Sequence, residues 1–350
     1  MWSYRGLPET RFPHGDRALS GPEMTFSQPQ TSERRKRQVW GYVPEYDRTA
    51  AWASVRSHAA LLTGISLFQY GLEPDGRVKQ YPGLGPAPLA IRETGIHVVP
   101  MVTNLIGGQW DRARVAGVLT DPQVRQAHLQ HLVALVVDGR YPGLELDYEN
   151  LSADDREPYS AFIAELAAAL HARGKTLSLA VHAKLVEPGP WPGAQAQDWS
   201  NLGTAADRIV VMTYDENPSR PGPIASVSWS RDILQFALSR IPAERVFQGI
   251  PFYGYDWSGS EKAEYRTYRD LIELARAHGV EPHREASDRH MVLQYTRSGA
   301  AHEVWIPDGE TVSALMAVGQ ELGVAGYAIW RMGGEDPLVW PGVQRAISTG

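Results

Sequence analysis

The sequence predicts an α/β chain folded as a parallel (β/α)8 barrel with a small α+β insertion. Short apolar runs of strand length alternate with helix-like stretches along most of the chain. Its 350 residues suit a barrel, which takes about 250 residues plus insertions. The ends of the predicted strands are aromatic and acidic, and strand ends are where a barrel gathers its chemistry. A doubly wound parallel sheet is the competing architecture for the same alternation.

Residues 1–37 are rich in Pro, Gly, Ser, Arg and Glu and lack a sustained period. They read as a poorly ordered tail, so the folded unit is taken as 38–350. The run Glu33-Arg34-Arg35-Lys36-Arg37 reads as a solvated boundary rather than a nucleic-acid patch. Strands are expected over 38–43, 63–70, 96–102, 143–149, 177–182, 208–214, 246–252 and 325–330. Helices are expected over 49–62, 87–94, 121–138, from Ser152 as N-cap to about 172, 230–240, 311–322 and 338–347. Glu73-Pro74-Asp75-Gly76 reads as a turn. The stretch 258–308 breaks the alternation with a helix (265–278) and two strand-like pieces (291–296 and 302–306), and is read as the insertion.

Hydrophobic residues make up 43% and charged residues 21%, which fits a globular chain with a sizeable core. A net charge of -6 argues against a general nucleic-acid binder and gives no attraction to anionic membranes. No apolar run reaches the length of a membrane-spanning helix. With no cysteine there is neither disulfide nor thiolate metal site. His182, His278, His283 and His290 have no close-spaced ligand motif, so no metal is expected. No Gly-x-Gly-x-x-Gly or phosphate loop appears, so no nucleotide cofactor is expected. The N-terminus lacks the order of a secretory signal, which implies the cytoplasm as written; a substrate outside the cell would need an upstream start, another export route or lysis. The 11 Trp and 15 Tyr are either extra core mass or the stacking surfaces of a sugar-binding cleft.

The centre of the pattern is Gly143-Leu144-Glu145-Leu146-Asp147-Tyr148-Glu149-Asn150. Side chains alternate along a strand, so Glu145, Asp147 and Glu149 share one face and Leu144, Leu146 and Tyr148 the other. An exposed edge strand would explain the acids, but the flanking helices place this run in a buried barrel strand. Carboxyls crowded at such a strand end hold a proton by mutual repulsion, which acid catalysis requires.

This stretch resembles the active-site strand of glycoside hydrolase family 18, Asp-Gly-apolar-Asp-apolar-Asp-x-Glu, with Pro142 and Glu145 standing where that pattern has its first and second Asp. Met212-Thr213-Tyr214-Asp215 resembles the family's strand-six end, and Gly326-Tyr327-Ala328-Ile329-Trp330-Arg331 its last strand. Pro221 to Ser226, Gly249 to Trp257 and Gly333 to Pro337 resemble the spore-cortex-lytic and spore-germination group of the family. The resemblance covers about 38–348 but includes no wall-binding repeats. It implies a barrel, a wall of the cleft built by the insertion, and a retaining glycosidase acting on N-acetylglucosamine polymers. Peptidoglycan is the first substrate expected and chitin oligosaccharide the second. It implies Glu149 as the acid, Asp147 as its charged partner and Tyr214 as the donor to the substrate's acetamido oxygen. Asp215, Met212 and Trp330 would bind the sugar, and Tyr46, Asn104 and Tyr253 would line the cleft. Glu145 would share a proton with Asp147 or crowd it, lowering tolerance to acid. A monomer is the expected state. A carbohydrate-binding barrel without catalysis is the rival reading, kept open by Pro142 and Glu145.

Overall fold

The computed structural model describes residues 36–81, 91, 93–259 and 263–348. The expected tail and most of the expected helix over 87–94 lie outside the described residues. Eight parallel strands form a ring: β1 (Gln38–Pro44), β2 (Gly64–Leu72), β3 (His97–Thr103), β4 (Gly143–Asp147), β5 (Thr176–His182), β6 (Arg208–Met212), β7 (Val246–Pro251) and β8 (Gly326–Trp330). Each pairs with its neighbours in sequence, and β8 pairs back onto β1, so the sheet closes as a (β/α)8 barrel rather than opening as a doubly wound sheet.

The period-two alternation sorts the side chains. Val39, Val43, Ile65, Leu67, Val98, Leu144, Leu146, Leu177, Ile209 and Ile329 point outward into the main core beneath the helices. Trp40, Tyr42, Phe68, Val99, Met101, Val210, Phe247 and Ala328 form a second cluster inside the ring. A barrel of this strand number is filled by side chains, so this cluster is a floor and not a pore. The covering helices include Pro122–Asp138, Arg156–His171, Val227–Leu238, Gly309–Leu322 and Val339–Ser348. Asp121 caps the first, accepting from the main-chain N–H of Gln123 at 2.8 Å. Ser152 stands before a 3-10 turn (Ala153–Asp155) and not directly before the helix, with its N–H bonded to Asp155 at 2.7 Å.

The insertion starts directly after β7. Gly254–Ser258 turns away as the second strand of a five-stranded antiparallel sheet that also contains Glu264–Arg266, Ala300–Ile306, Met291–Arg297 and His283–Arg284. The helix Tyr268–His278 packs on that sheet through Leu271 and Ala275. Three further helices were not anticipated: Arg112–Thr120, Pro192–Ala196 and Trp199–Ala205. The last two are single turns or little more, too short to show a period.

Gly143 lets β4 seat against β5: a Cβ there would lie 2.2 Å from Thr176 Oγ1 and 2.6 Å from its carbonyl oxygen. Both strands are held by their ladder and cannot move apart cheaply. Gly143→Ala is therefore expected to lower stability by about 1–3 kcal/mol, measured by urea denaturation; an unchanged midpoint would show that the strands yield.

Candidate active site

β4 ends at Asp147, and the chain runs on through Tyr148 and Glu149 at the mouth of the barrel. Two contacts fix that exit. Outside the ring, the buried Tyr148 hydroxyl lies 2.6 Å from His128 Nε2, and His128 Nδ1 lies 2.8 Å from the Gly76 carbonyl. A carbonyl only accepts, so Nδ1 carries the proton and Nε2 accepts from Tyr148. Burial pushes His128 down to about 4, keeping it neutral for this role. Inside the mouth, Asn104 clamps the main chain of Glu149 from β3. Its Oδ1 accepts from the Glu149 N–H at 2.9 Å, and its Nδ2 donates to the Glu149 carbonyl at 2.9 Å. Asn150 then adopts a left-handed backbone (φ +58°), which Asn tolerates better than most residues, and turns the chain away.

Glu145 lies lower in the barrel. It is 1% exposed, and its carboxyl accepts from Tyr42 at 2.5 Å, from Ser66, and from Arg208 at 3.4 Å. The Arg208 guanidinium lies 3.4 Å from the centre of the Trp40 ring. Arginine suits this place because its flat cation stacks on an aromatic face while its edge meets a carboxylate. Glu145 thus brings a fixed negative charge beneath Asp147.

Asp147 is 5% exposed, and its Oδ1 is buried without a hydrogen-bond partner. Burial, and then the charge of Glu145, push its carboxyl up to about 7. Glu149 keeps 20% of its side chain open to solvent. Desolvation, then the charges of Asp147 and Asp215, push it well above the usual carboxylate range. The two acids titrate as a pair, so one proton is retained between them near neutral pH.

From β6, Tyr214 reaches the same mouth. Gly249 on β7 makes room for its ring, since a Cβ there would lie 2.8 Å from Tyr214 Cε1. Asp215 turns the chain with a left-handed backbone (φ +62°), and its Oδ1 accepts from Tyr253 at 2.5 Å and Tyr255 at 2.8 Å. Trp330 ends β8 and packs on Tyr42 and Phe68, with ring centres 5.3 and 5.4 Å away. Half-buried, it forms the upper edge of the floor.

The expected lining residues divide. Tyr46 is 58% exposed and sits 5.1 Å from the Arg331 guanidinium. Asn104 is fully buried and Tyr253 is 2% exposed, so neither lines the cleft: Asn104 holds Glu149, and Tyr253 holds Asp215. Glu145 likewise meets Arg208, Tyr42 and Ser66 rather than the cleft, because their donors saturate it. Met212 is buried at the end of β6. Pro142 is exposed at the other end of β4, away from the acids. Arg208 and Ser66 were missed, since one charge or one hydroxyl within an apolar run reads as a boundary or as noise. Among the described residues, no group of three His, Asp or Glu is arranged to hold a metal, and no helix is long and apolar enough to cross a membrane.

The profile of glycosyl hydrolases family 18 matches residues 98–335. The chain belongs to this family. The uncharacterized glycosylase YvbX of Bacillus subtilis (strain 168) is 24% identical over 308 residues, covering 85% of this chain and 88% of that protein. The cortical fragment-lytic enzyme of Bacillus anthracis is 24% identical over 297 residues, covering 82% and 68%. A chitinase from Chromobacterium violaceum ATCC 12472 superposes with a TM-score of 0.82 at 28% identity, covering 90% of this chain and all of that one. This family 18 chain is a glycosidase, and the family acts on polymers that contain N-acetylglucosamine.

Two expectations follow from the geometry. Asn104→Ala frees the Glu149 main chain and should lower kcat on a chromogenic N-acetylglucosaminide by about 10²-fold, the cost of a misplaced group, with KM little changed. An unaltered kcat would remove Asn104 from the site's support. Asp147, raised to about 7 in the folded chain, binds a proton that the unfolded chain has already lost above its ordinary value of 3.8. Stability should therefore fall as pH rises from about 4 through about 7. Asp147→Asn should make that slope shallower without abolishing it, since the raised Glu149 carboxyl adds to it over the same range. Parallel melting curves against pH for the two proteins would refute the share assigned to Asp147.

Proposed function

We propose that this glycosidase cleaves β-linked N-acetylglucosamine polymers with retention, taking peptidoglycan first and chitin oligosaccharides second. The observation that carries the reading is the unpartnered, buried Oδ1 of Asp147 beside Glu149, whose carboxyl is pushed toward its protonated form by burial and by the charges of Asp147 and Asp215. A buried acceptor left open is costly unless something fills it. The N–H of a substrate acetamido group is a donor of the right kind.

In this scheme Glu149 gives its proton to the glycosidic oxygen, and the aglycone leaves bearing that hydrogen. The substrate's acetamido oxygen bonds to the anomeric carbon as the glycosidic bond breaks, giving an oxazolinium ring. The N–H of that ring, now positive, donates to Asp147. Tyr214 donates to the acetamido oxygen beforehand and holds it for attack, while Asp215 orients the sugar over Trp330. Water then attacks the anomeric carbon from the vacated side. Glu149 takes the water's proton, and the ring opens with configuration retained. Substrate assistance of this kind departs from the scheme with two enzyme carboxylates.

Cortical fragments cut by the Bacillus anthracis relative favour peptidoglycan as the first substrate, and the superposed chitinase supports the second. The test compares wild type with Glu149→Gln on chromogenic β-N-acetylglucosaminides, purified cortex peptidoglycan and chitin oligosaccharides. Loss of about 10²–10⁴-fold in the variant alone is expected, and the polymer cut most efficiently ranks the substrates. Binding without turnover by folded wild type on all three would instead make the barrel a lectin.

A further inference from the structure

His182 ends β5 and faces the acid from the neighbouring strand. Its Nε2 lies 4.0 Å from Glu149 Oε2, and this nitrogen is buried without a hydrogen-bond partner. The ring is held in place. Trp191 meets it edge to face, with ring centres 4.4 Å apart. The His182 main-chain N–H donates to Gln197 Oε1 at 2.7 Å. Lys184 ties down the same loop by donating to the carbonyls of Gln197 at 2.5 Å and Ala194 at 3.1 Å, and to Glu187 at 3.0 Å. None of the steps above uses this imidazole. A buried ring nitrogen with no partner, fixed one small movement from a reacting carboxyl, is a feature that packing alone would not favour.

We propose that His182 is a positioning residue for the acid, its Nε2–H donating to Glu149 Oε2 once Glu149 has released its proton. The 4.0 Å gap is too long for a hydrogen bond in the resting site and closes when the carboxylate forms. Burial, with the positive Lys184 adding to it, pushes the imidazole down to about 3, so it stays neutral and offers one N–H. The charged and titratable groups that face this pair are Asp147 from β4, Tyr214 and Asp215 beyond β6, and Lys184 on the β5 loop with its partner Glu187. The two aspartates tighten the hold of Glu149 on its proton. A donor to the carboxylate works against them, easing release in the first step and steadying the base in the second. This inference rests on the reading of Glu149 as the acid.

Three proteins test it: wild type, His182→Phe, which keeps the ring against Trp191 without an N–H, and His182→Gln, which places an amide N–H near the lost Nε2. Without the donor the Glu149 carboxylate is less stable, so its proton is held more tightly. In His182→Phe the alkaline limb of the kcat/KM profile should move up by about one pH unit, and kcat near neutral pH should fall about tenfold. His182→Gln should restore both. An alkaline limb in His182→Phe that superimposes on wild type, or His182→Gln behaving like His182→Phe, overturns the proposal. A readout independent of turnover is the 15N spectrum of labelled histidine in the wild-type protein. Nε2 protonated between pH 5 and 9 is expected, and a bare Nε2 overturns the proposal even where a variant fails to fold. If Glu149→Gln stays fully active, the acid assignment fails instead, whatever tautomer the spectrum shows.

Discussion

Everything at the mouth of this barrel depends on how a negative charge is kept inside it. Glu145 would be prohibitive in the floor if it stood alone. Arg208, Tyr42 and Ser66 supply it with donors, and Trp40 supplies the guanidinium with an aromatic face. Truncating one member of such a buried set leaves the other uncompensated, which typically costs about 3–5 kcal/mol. The arrangement is therefore less a source of stability than a constraint the rest must satisfy. Its product is a field directed at Asp147, which burial has already made a poor anion.

The field passes upward through the acids. Asp147 resists ionisation because of burial and Glu145, and Glu149 because of burial, Asp147 and Asp215. Each carboxyl makes the next hold its proton more tightly, so the outermost acid remains protonated where it meets solvent. Replacing the family pattern's Asp by Glu at position 145 has therefore not removed the charge below the pair. The longer side chain sends its carboxyl toward Arg208 and Ser66, and it acts on Asp147 through space rather than by sharing a proton.

The ring itself was legible because strands buried on both faces read as short apolar runs between helix-length stretches, and the acids were legible because three carboxyls in alternation have no packing rationale. Asp147, Glu149, Tyr214, Asp215 and Trp330 do converge at one mouth. The supports were not legible as supports. Asn104 and Tyr253 looked like cleft residues because strand ends usually are, yet the hydrogen bonds that bury them join positions 45 and 38 residues apart. Arg208 pairs with a residue 63 positions away, and no local pattern encodes such a partnership. The start of the insertion was displaced for a related reason: Gly254–Ser258 continues the apolar run of β7, and only the turn at its beginning separates the two strands.

The same buried pair has a bearing on how the ring is assembled. Its members come from β1, β2, β4 and β6, so no contiguous half of the barrel contains them all. A partly built sheet holding β1 to β4 would carry Glu145 without its cation, and one holding β5 to β8 would carry Arg208 without its anion or the Trp40 ring, keeping only the more distant Phe247 face. Either fragment must keep that charge in water until the other arrives. Closure of the ring is thus penalised in every incomplete form and relieved only in the complete one, which ties the two halves into a single cooperative unit.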